Sequence, residues 1–338
     1  PDPADPHSLS DIVVTSIYED DSGTLWLGTA DGGLNVFDRA TEQFVHYRPD
    51  PADPHSLSYD RVETIYQDRS GVLWIGTGVD YEVEVGGLNS FDKTSGRFNR
   101  YLHDPDDHHS LSNNHVRSIY QDQTGTFWIG TDDGHVYVTR GSGADWSEVS
   151  AGLPRDRWVS RVEASHHDEN VAYVSLNGYR DDDIMAYVYR TDDLGRTWRD
   201  ISAGLPDEPV NVIREDPVNP AVLYVGTDRG AYVSLDAGRS WQAAGSGLPN
   251  VPVHDLIVHP RERELVAGTH GRSVWVLDAL PIQELSQAVR SSDVHVFPLE
   301  PVTFSRDWRS RRSPWSYRPE DAPYEDIPFW VGRDGPVE

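Results

Sequence analysis

Short apolar runs recur along the chain, and each closes on a turn of Gly, Asp, Ser or Thr. The first unit reads VVTSIY (13–18), TLWLGT (24–29), GLNVF (33–37) and QFVHY (43–47), separated by DDSG, ADGG and DRATE. Apolar residues alternate with polar ones or run on continuously, as in strands of sheets stacked face to face. A helical turn is expected at IQELSQAV (282–289). Many short strands with Gly and Pro between them predict an all-β fold.

The strands are arranged in repeats. PDPADPHSLS stands at 1–10 and again, letter for letter, at 49–58, with a worn copy, HDPDDHHSLS, at 103–112. Rich in Pro, Asp and Ser, these decapeptides suit linkers rather than strands. A chain that opens on a linker suggests one processed or excised from something longer, and the missing initiator Met agrees with that. Each unit carries a strand ending in a Gly-Thr pair or its relic: Gly28-Thr29, Gly76-Thr77, Gly130-Thr131, Val174-Ser175, Gly226-Thr227 and Gly268-Thr269. Successive spacings of 48, 54, 44, 52 and 42 residues match four-stranded blades. The expectation is a single β-propeller of six recognisable units over residues 1–300, closed as six or seven blades. The strands starting near Val13, Val62, Val116, Val159, Val210 and Val253 should be innermost. DVHVFPLE (293–300) is the candidate fourth strand of the sixth unit, and 301–338 reads as an extended tail.

Two dialects divide the propeller. Residues 1–144 repeat D-x-[ST]-G-x-[LF]-W-[LI]-G-T at Asp20–Thr29, Asp68–Thr77 and Asp122–Thr131, with Trp26, Trp74 and Trp128 placed mid-strand to fill the wedge between blades. This resembles the two-component regulator propeller repeat, found in periplasmic sensor portions of hybrid histidine kinases and in secreted proteins. From residue 145 to 300 the linkers become G-L-P, and two turns read TDDLGRTW (191–198) and SLDAGRSW (234–241). Their residues Thr191, Asp193, Gly195, Thr197 and Trp198, and Ser234, Asp236, Gly238, Ser240 and Trp241, fit the pattern [ST]-x-D-x-G-x-[ST]-W. That pattern resembles the Asp-box (BNR) propellers, which include sialidases, sortilin-type receptors and xyloglucanases. The Asp would accept backbone N–H groups across the hairpin, the Gly would take positive φ, and the Trp would pack beneath. The resemblance implies that the box is structural and lies away from any catalytic face.

Composition narrows the function. The chain has 338 residues, net charge −27, one lysine (Lys93) against 28 arginines, and no cysteine. Such a surface repels nucleic acid and anionic lipid. Disulfides and thiolate metal sites are absent by composition. No 18-residue apolar run could span a membrane. Acidic, lysine-poor chains suit salty surroundings, and Arg-favouring codons of a GC-rich genome explain the same bias.

Three unusual segments fall on the rim that carries the linkers: GVDYEVEVGG (78–87), the stretch from His103 to His115, and NGYRDDD (177–183). Their carboxylates Asp80, Glu82, Glu84, Asp104, Asp106, Asp107, Asp181, Asp182 and Asp183 are expected at the channel mouth, where they could hold a cation such as Ca²⁺ or a basic partner. Solvated loops of an acidic protein give the same composition without any site. His103, His108, His109 and His115 have imidazoles suited to zinc or copper. Their spacing matches no ligand pattern, and His7 and His55 show one linker histidine inherited with the repeat. In the tail, SRDWRSRRSPWSYR (305–318) sets five arginines against one aspartate. Its Arg306, Trp308, Arg311, Arg312 and Trp315 form a basic-aromatic patch for self-docking, an oligomer or a partner protein.

No catalytic residue emerges. The Arg-Ile-Pro signature of sialidases is absent, and blades for only one propeller are present where xyloglucanases place their carboxylates between two. The expected role is a non-enzymatic, extracytoplasmic binding or scaffolding propeller. It would take a protein or glycan on its loop-rich channel face, with no cofactor and no nucleic acid. The alternatives are a glycoside hydrolase of xyloglucanase or sialidase type and the periplasmic sensor domain of a two-component system.

Overall fold

The computed structural model describes residues 1–2, 4–80, 82–107, 109–140, 146–245, 247–298 and 328–332. Six antiparallel meanders radiate around a channel, so the fold is an all-β propeller. Blade 1 holds β1 to β4 (Val14–Glu19, Leu25–Thr29, Leu34–Asp38, Gln43–Tyr47) and blade 2 holds β5 to β8 (Val62–Gln67, Leu73–Val79, Glu82–Asp92, Arg97–Tyr101). Blade 3 holds β9 to β12 (Val116–Gln121, Thr126–Thr131, Val136–Arg140, Ser147–Glu148) and blade 4 holds β13 to β16 (Trp158–Ala164, Ala172–Gly178, Asp183–Thr191, Arg199–Asp200). Blade 5 holds β17 to β20 (Val210–Glu215, Leu223–Thr227, Gly230–Ser234, Gln242–Ala243) and blade 6 holds β21 to β23 (Val253–His259, Glu264–Thr269, Val274–Asp278).

The first strand of every blade lines the channel, as the register of the Gly-Thr pairs predicts. Five apolar clusters hold the blades together, one at each interface from blade 1–2 to blade 5–6. Trp26 of blade 1 packs with Val62, Ile65, Phe91 and Phe98 of blade 2. Trp74 and Trp128 repeat that arrangement one and two blades on. The strand-two glycines permit this approach: a Cβ on Gly28 would lie 2.6 Å from Val62 Cγ1, and one on Gly226 2.8 Å from the Val253 carbonyl oxygen.

The sixth blade departs from expectation. Residues 293–300 do not supply its fourth strand; β24 (Val294–Val296) pairs instead with β25 (Phe329–Val331). Residues 301–338 are therefore not wholly an extended tail. After β23 the chain turns through α1 (Leu280–Gln283), with Pro281 in its first turn, and α2 (Gln287–Arg290). The buried Gln283 donates to Asp216 Oδ2 at 3.0 Å, and its carbonyl accepts from Asn219 Nδ2 at 3.0 Å. These bonds commit the chain to a helical turn where the other blades continue to a fourth strand. Among the described residues no helix is long and apolar enough to cross a membrane.

Candidate functional site

One structural device recurs in all six blades. The first strand carries a β-bulge at Thr15, Glu63, Arg117, Ser160, Asn211 and His254. A bulge re-aims a side chain without breaking the sheet. All six bulged residues line a channel of about 810 Å³, while their neighbours Val62 and Val116 are buried in the core. Three residues further along each strand stand Tyr18, Tyr66, Tyr120, Glu163, Arg214 and Ile257.

The three tyrosines form a ladder, with ring centroids 6.2 Å and then 5.9 Å apart. Burial raises the Tyr66 phenol to about 12, so it stays a hydrogen-bond donor, here to the Gln121 carbonyl oxygen at 3.2 Å. Opposite them lies an ion network. Arg214 donates to Glu163 Oε2 at 2.7 Å and to Asp255 Oδ1 at 3.0 Å, and Arg161 reaches Asp255 Oδ1 at 2.9 Å. Burial alone would raise the Glu163 carboxyl, but Arg214 and His166 outweigh it and hold it below the usual range. Burial would likewise raise the Asp255 carboxyl, but Arg161 and Arg214 outweigh it and hold it low.

A second network closes the linker rim between blades 2, 3 and 4. Arg117 donates to Asp132 Oδ1 at 2.8 Å and bonds Asp80. Arg180 lies 3.1 Å from Asp80 Oδ1 and 2.5 Å from Asp132 Oδ1, and its guanidinium stacks on Trp158 at 4.1 Å. His115, only 1% exposed, sits beneath with Nδ1 3.4 Å from Asp132 and Nε2 3.6 Å from Glu63. Burial would raise the Glu63 carboxyl, yet His115, Arg117 and Arg61 bring it down to about 2. Gly78, from the insertion, has φ of +144° and lies so close that a Cβ would be 2.6 Å from His115 Cα.

Asp80, His115 and Asp132 place one ligand atom each within 4.8 Å of one another, the grouping a metal would use. The two carboxylates already carry the guanidiniums of Arg117 and Arg180, so a cation would have to displace both. The donor set fits an ion-pair network better than a metal centre.

The other sequence candidates are dispersed. Asp183 accepts from Arg157 Nε and the Tyr187 hydroxyl, each at 2.7 Å, while Asp181 lies 3.8 Å from Arg157. Asp182 is exposed with φ of +57° at the end of a short turn. Asp104, Asp106 and Asp107 are exposed in the linker; Asp104 and Asp107 cap the N–H groups of Asp106 and His109 at 2.9 Å. Glu82 and Glu84 lie on β7. His103 Nδ1 contacts the Leu111 carbonyl oxygen at 2.6 Å. His108 and the tail residues Arg306, Trp308, Arg311, Arg312 and Trp315 lie outside the described residues. Sequence reasoning did not single out Glu63, Arg117, Trp158, Arg161, Glu163, Arg180, Arg214 or Asp255. Superposing the six units on their Gly-Thr pairs would have revealed the channel positions.

The two turn motifs lie at the opposite ends of these strands. Asp68 Oδ1 accepts N–H groups from Ser70 and Val72 at 2.8 and 3.0 Å, and Oδ2 accepts the Trp74 indole N–H at 2.9 Å. Asp20 repeats this and also holds Lys93 Nζ at 2.6 Å. In the later turns Asp193 and Asp236 accept the N–H groups of Thr197 and Ser240 at 2.9 Å, with Gly195 and Gly238 at φ of +80° and +83°. Trp198 and Trp241 are partly rather than largely buried, and their indoles donate to carbonyls of the preceding blade, Val149 at 2.6 Å and Ile201 at 2.7 Å.

The two-component regulator propeller family matches this chain at residues 8–31, 56–78 and 110–133, the first three blades. No curated protein matches. The extracellular domain of a hybrid two-component system protein from B. thetaiotaomicron superposes with a TM-score of 0.61 at 20% identity, over 80% of this chain and 34% of that one. The extracellular domain of a one-component system protein from the same organism gives 0.58 at 21% identity, over 79% and 34%. A family 74 xyloglucanase from Xanthomonas campestris gives 0.54 at 16% identity, over 79% and 52%. The chain thus spans about a third of the length of the two regulator domains. At these identities the likeness is one of fold, and what the family match adds is that blades 1 to 3 carry two-component regulator propeller repeats.

Proposed function

We propose that this chain is a non-enzymatic, extracytoplasmic binding propeller that receives a protein or glycan at its central channel. The observation that carries this reading is the state of the carboxylates there. Glu63, Asp132, Glu163 and Asp255 each face arginine and are held below the usual carboxylate range. A general acid needs the reverse, a carboxyl raised toward neutrality beside a free partner. What remains is a wall of tyrosines and fixed charges in a cavity of ligand-binding size.

The test is an array of glycans and peptides, followed by calorimetry on the hits. Binding should fall at least tenfold in Tyr66→Ala and stay unchanged in Arg39→Ala on the outer surface. Equal binding by Tyr66→Ala overturns the site, and turnover of xyloglucan, β-glucan or a sialoside overturns the non-enzymatic reading. The regulator repeats of blades 1 to 3 favour a second reading, the sensor portion of a two-component receptor. In that case the same ligand should change phosphorylation when the propeller is joined to a kinase.

A further inference from the structure

The ring has one open wedge. Ile17 in β1 is 64% exposed, whereas Ile65 and Ile119 at the same place in blades 2 and 3 are 7% and 6% exposed against the preceding blade. On the other side, Val274 and Val276 of β23 are 61% and 55% exposed, while Val136, which matches Val274 in blade 3, is fully buried. A Cβ on Gly268 would meet nothing closer than 3.7 Å, although Gly28, Gly76, Gly130 and Gly226 all abut the next blade. Among the described residues, no apolar cluster joins blade 6 to blade 1. Both walls are built for a neighbour.

Residues 293–332 match that neighbour. The sequence FWVGRDG (329–335) repeats FWIGTDDG (127–134) of blade 3 with one residue fewer. The pairing agrees as well. His295 stands opposite Trp330, as Tyr18 stands opposite Trp26, Tyr66 opposite Trp74 and Tyr120 opposite Trp128. Val294 stands opposite Val331, as Ile119 stands opposite Ile129. Yet Val294, Val296 and Phe329 are all more than half exposed, and the Trp330 indole N–H is buried without an acceptor. The pair has the register and side chains of a blade but lacks the packing of one.

We propose that β24 and β25 are the inner half of a seventh blade and that they occupy the wedge between blades 6 and 1. By the register of the other blades, Val294, Val331 and Phe329 then cover Val274 and Val276, and Trp330 covers Ile17 as Trp26 covers Ile65. His295 enters the channel beside Tyr18, extending the tyrosine ladder by one titratable rung. This inference stands on packing and register and is independent of what the channel binds.

Because the chain has no cysteine, a paired-cysteine test is clean. Val138 and Val174, which share the blade 3–4 core, are the counterparts of Val276 and Val331. In the full chain, the double variant Val276→Cys/Val331→Cys should form a link within one molecule under mild oxidation or with a short thiol cross-linker. In a separate variant, Ile17→Asp should lower the melting temperature by several degrees. Freely reactive thiols with no link, or a link joining two chains, overturns the proposal. So does an unchanged melting temperature for Ile17→Asp, the result for a side chain left in water.

Discussion

The two turn motifs look interchangeable in sequence, but their hydrogen bonds predict unequal costs when the aspartate is lost. Asp68→Ala removes the acceptor of two backbone N–H groups, the Ser70 hydroxyl and the Trp74 indole. Trp74 lies in the blade 2–3 core, so its N–H would be stranded away from water. An orphaned buried donor costs about 1–3 kcal/mol, and the lost turn bonds add about 1 kcal/mol more, for a total of about 2–4 kcal/mol. Asp193→Ala also loses backbone and hydroxyl bonds, to Thr197. That hairpin is exposed, Thr191 Oγ1 still accepts the Gly195 N–H, and the Trp198 indole keeps its bond to Val149. Water replaces most of what is lost, and the cost is about 1 kcal/mol. The difference of about 1–3 kcal/mol corresponds, for a chain of 338 residues, to melting temperatures about 1–4 °C apart. Calorimetric melting of both variants beside the parent measures it directly. If Asp193→Ala proves as damaging as Asp68→Ala, the indole bond is not what separates the two turns.

Glu63 gives a pH prediction. Its carboxyl falls from 4.5 to about 2 on folding. Its contribution is therefore complete above pH 4.5 and is lost as the pH falls toward 2, amounting to about 3 kcal/mol. Glu63→Gln should flatten the fall of melting temperature over that window, and an unchanged acid slope would count against the network. Arg214→Met strands Glu163, whose side chain is 3% exposed, and should cost about 3–5 kcal/mol in urea denaturation. A loss below about 1 kcal/mol would mean that water reaches the site.

The propeller was legible in the sequence because its signal is periodic: one Gly-Thr strand end per blade and Trp26, Trp74 and Trp128 at matched places. Gly28, Gly76, Gly130 and Gly226 are each fixed by contact with the next blade, where a Cβ would not fit. The channel was much less legible. Arg117, Ser160, Asn211 and His254 occupy equivalent bulges but share no chemistry, and nothing in a single unit marks a bulge before its partner strand is known. Reading the rim by composition gathered acidic residues into one site. The structure instead divides them: Asp80 faces arginines, Asp183 pairs with Arg157, and the linker aspartates cap their own turns. The fourth strand assigned to 293–300 failed for a different reason. Its apolar pattern was real, but its partner strand, Phe329–Val331, begins 35 residues downstream of Val294.

These observations fix how salt should act. The channel and its rim set Arg61, Arg117, Arg161, Arg180 and Arg214 against Glu63, Asp80, Asp132, Glu163 and Asp255, so this region is balanced while the whole chain carries −27. The excess negative charge therefore lies elsewhere and repels itself across the surface. At 0.1 M salt the screening length is about 10 Å, and at 1 M it is about 3 Å. Added salt should weaken the long-range repulsion between exposed carboxylates first, because pairs such as Arg214–Glu163 are in direct contact and largely shielded from solvent. The melting temperature should accordingly rise between low salt and 0.5 M sodium chloride, and rise less in a variant whose exposed aspartates are changed to asparagine. A melting temperature that falls with salt would mean that the arginine–carboxylate pairs are open to solvent and that their attraction, rather than surface repulsion, dominates the electrostatics of the fold.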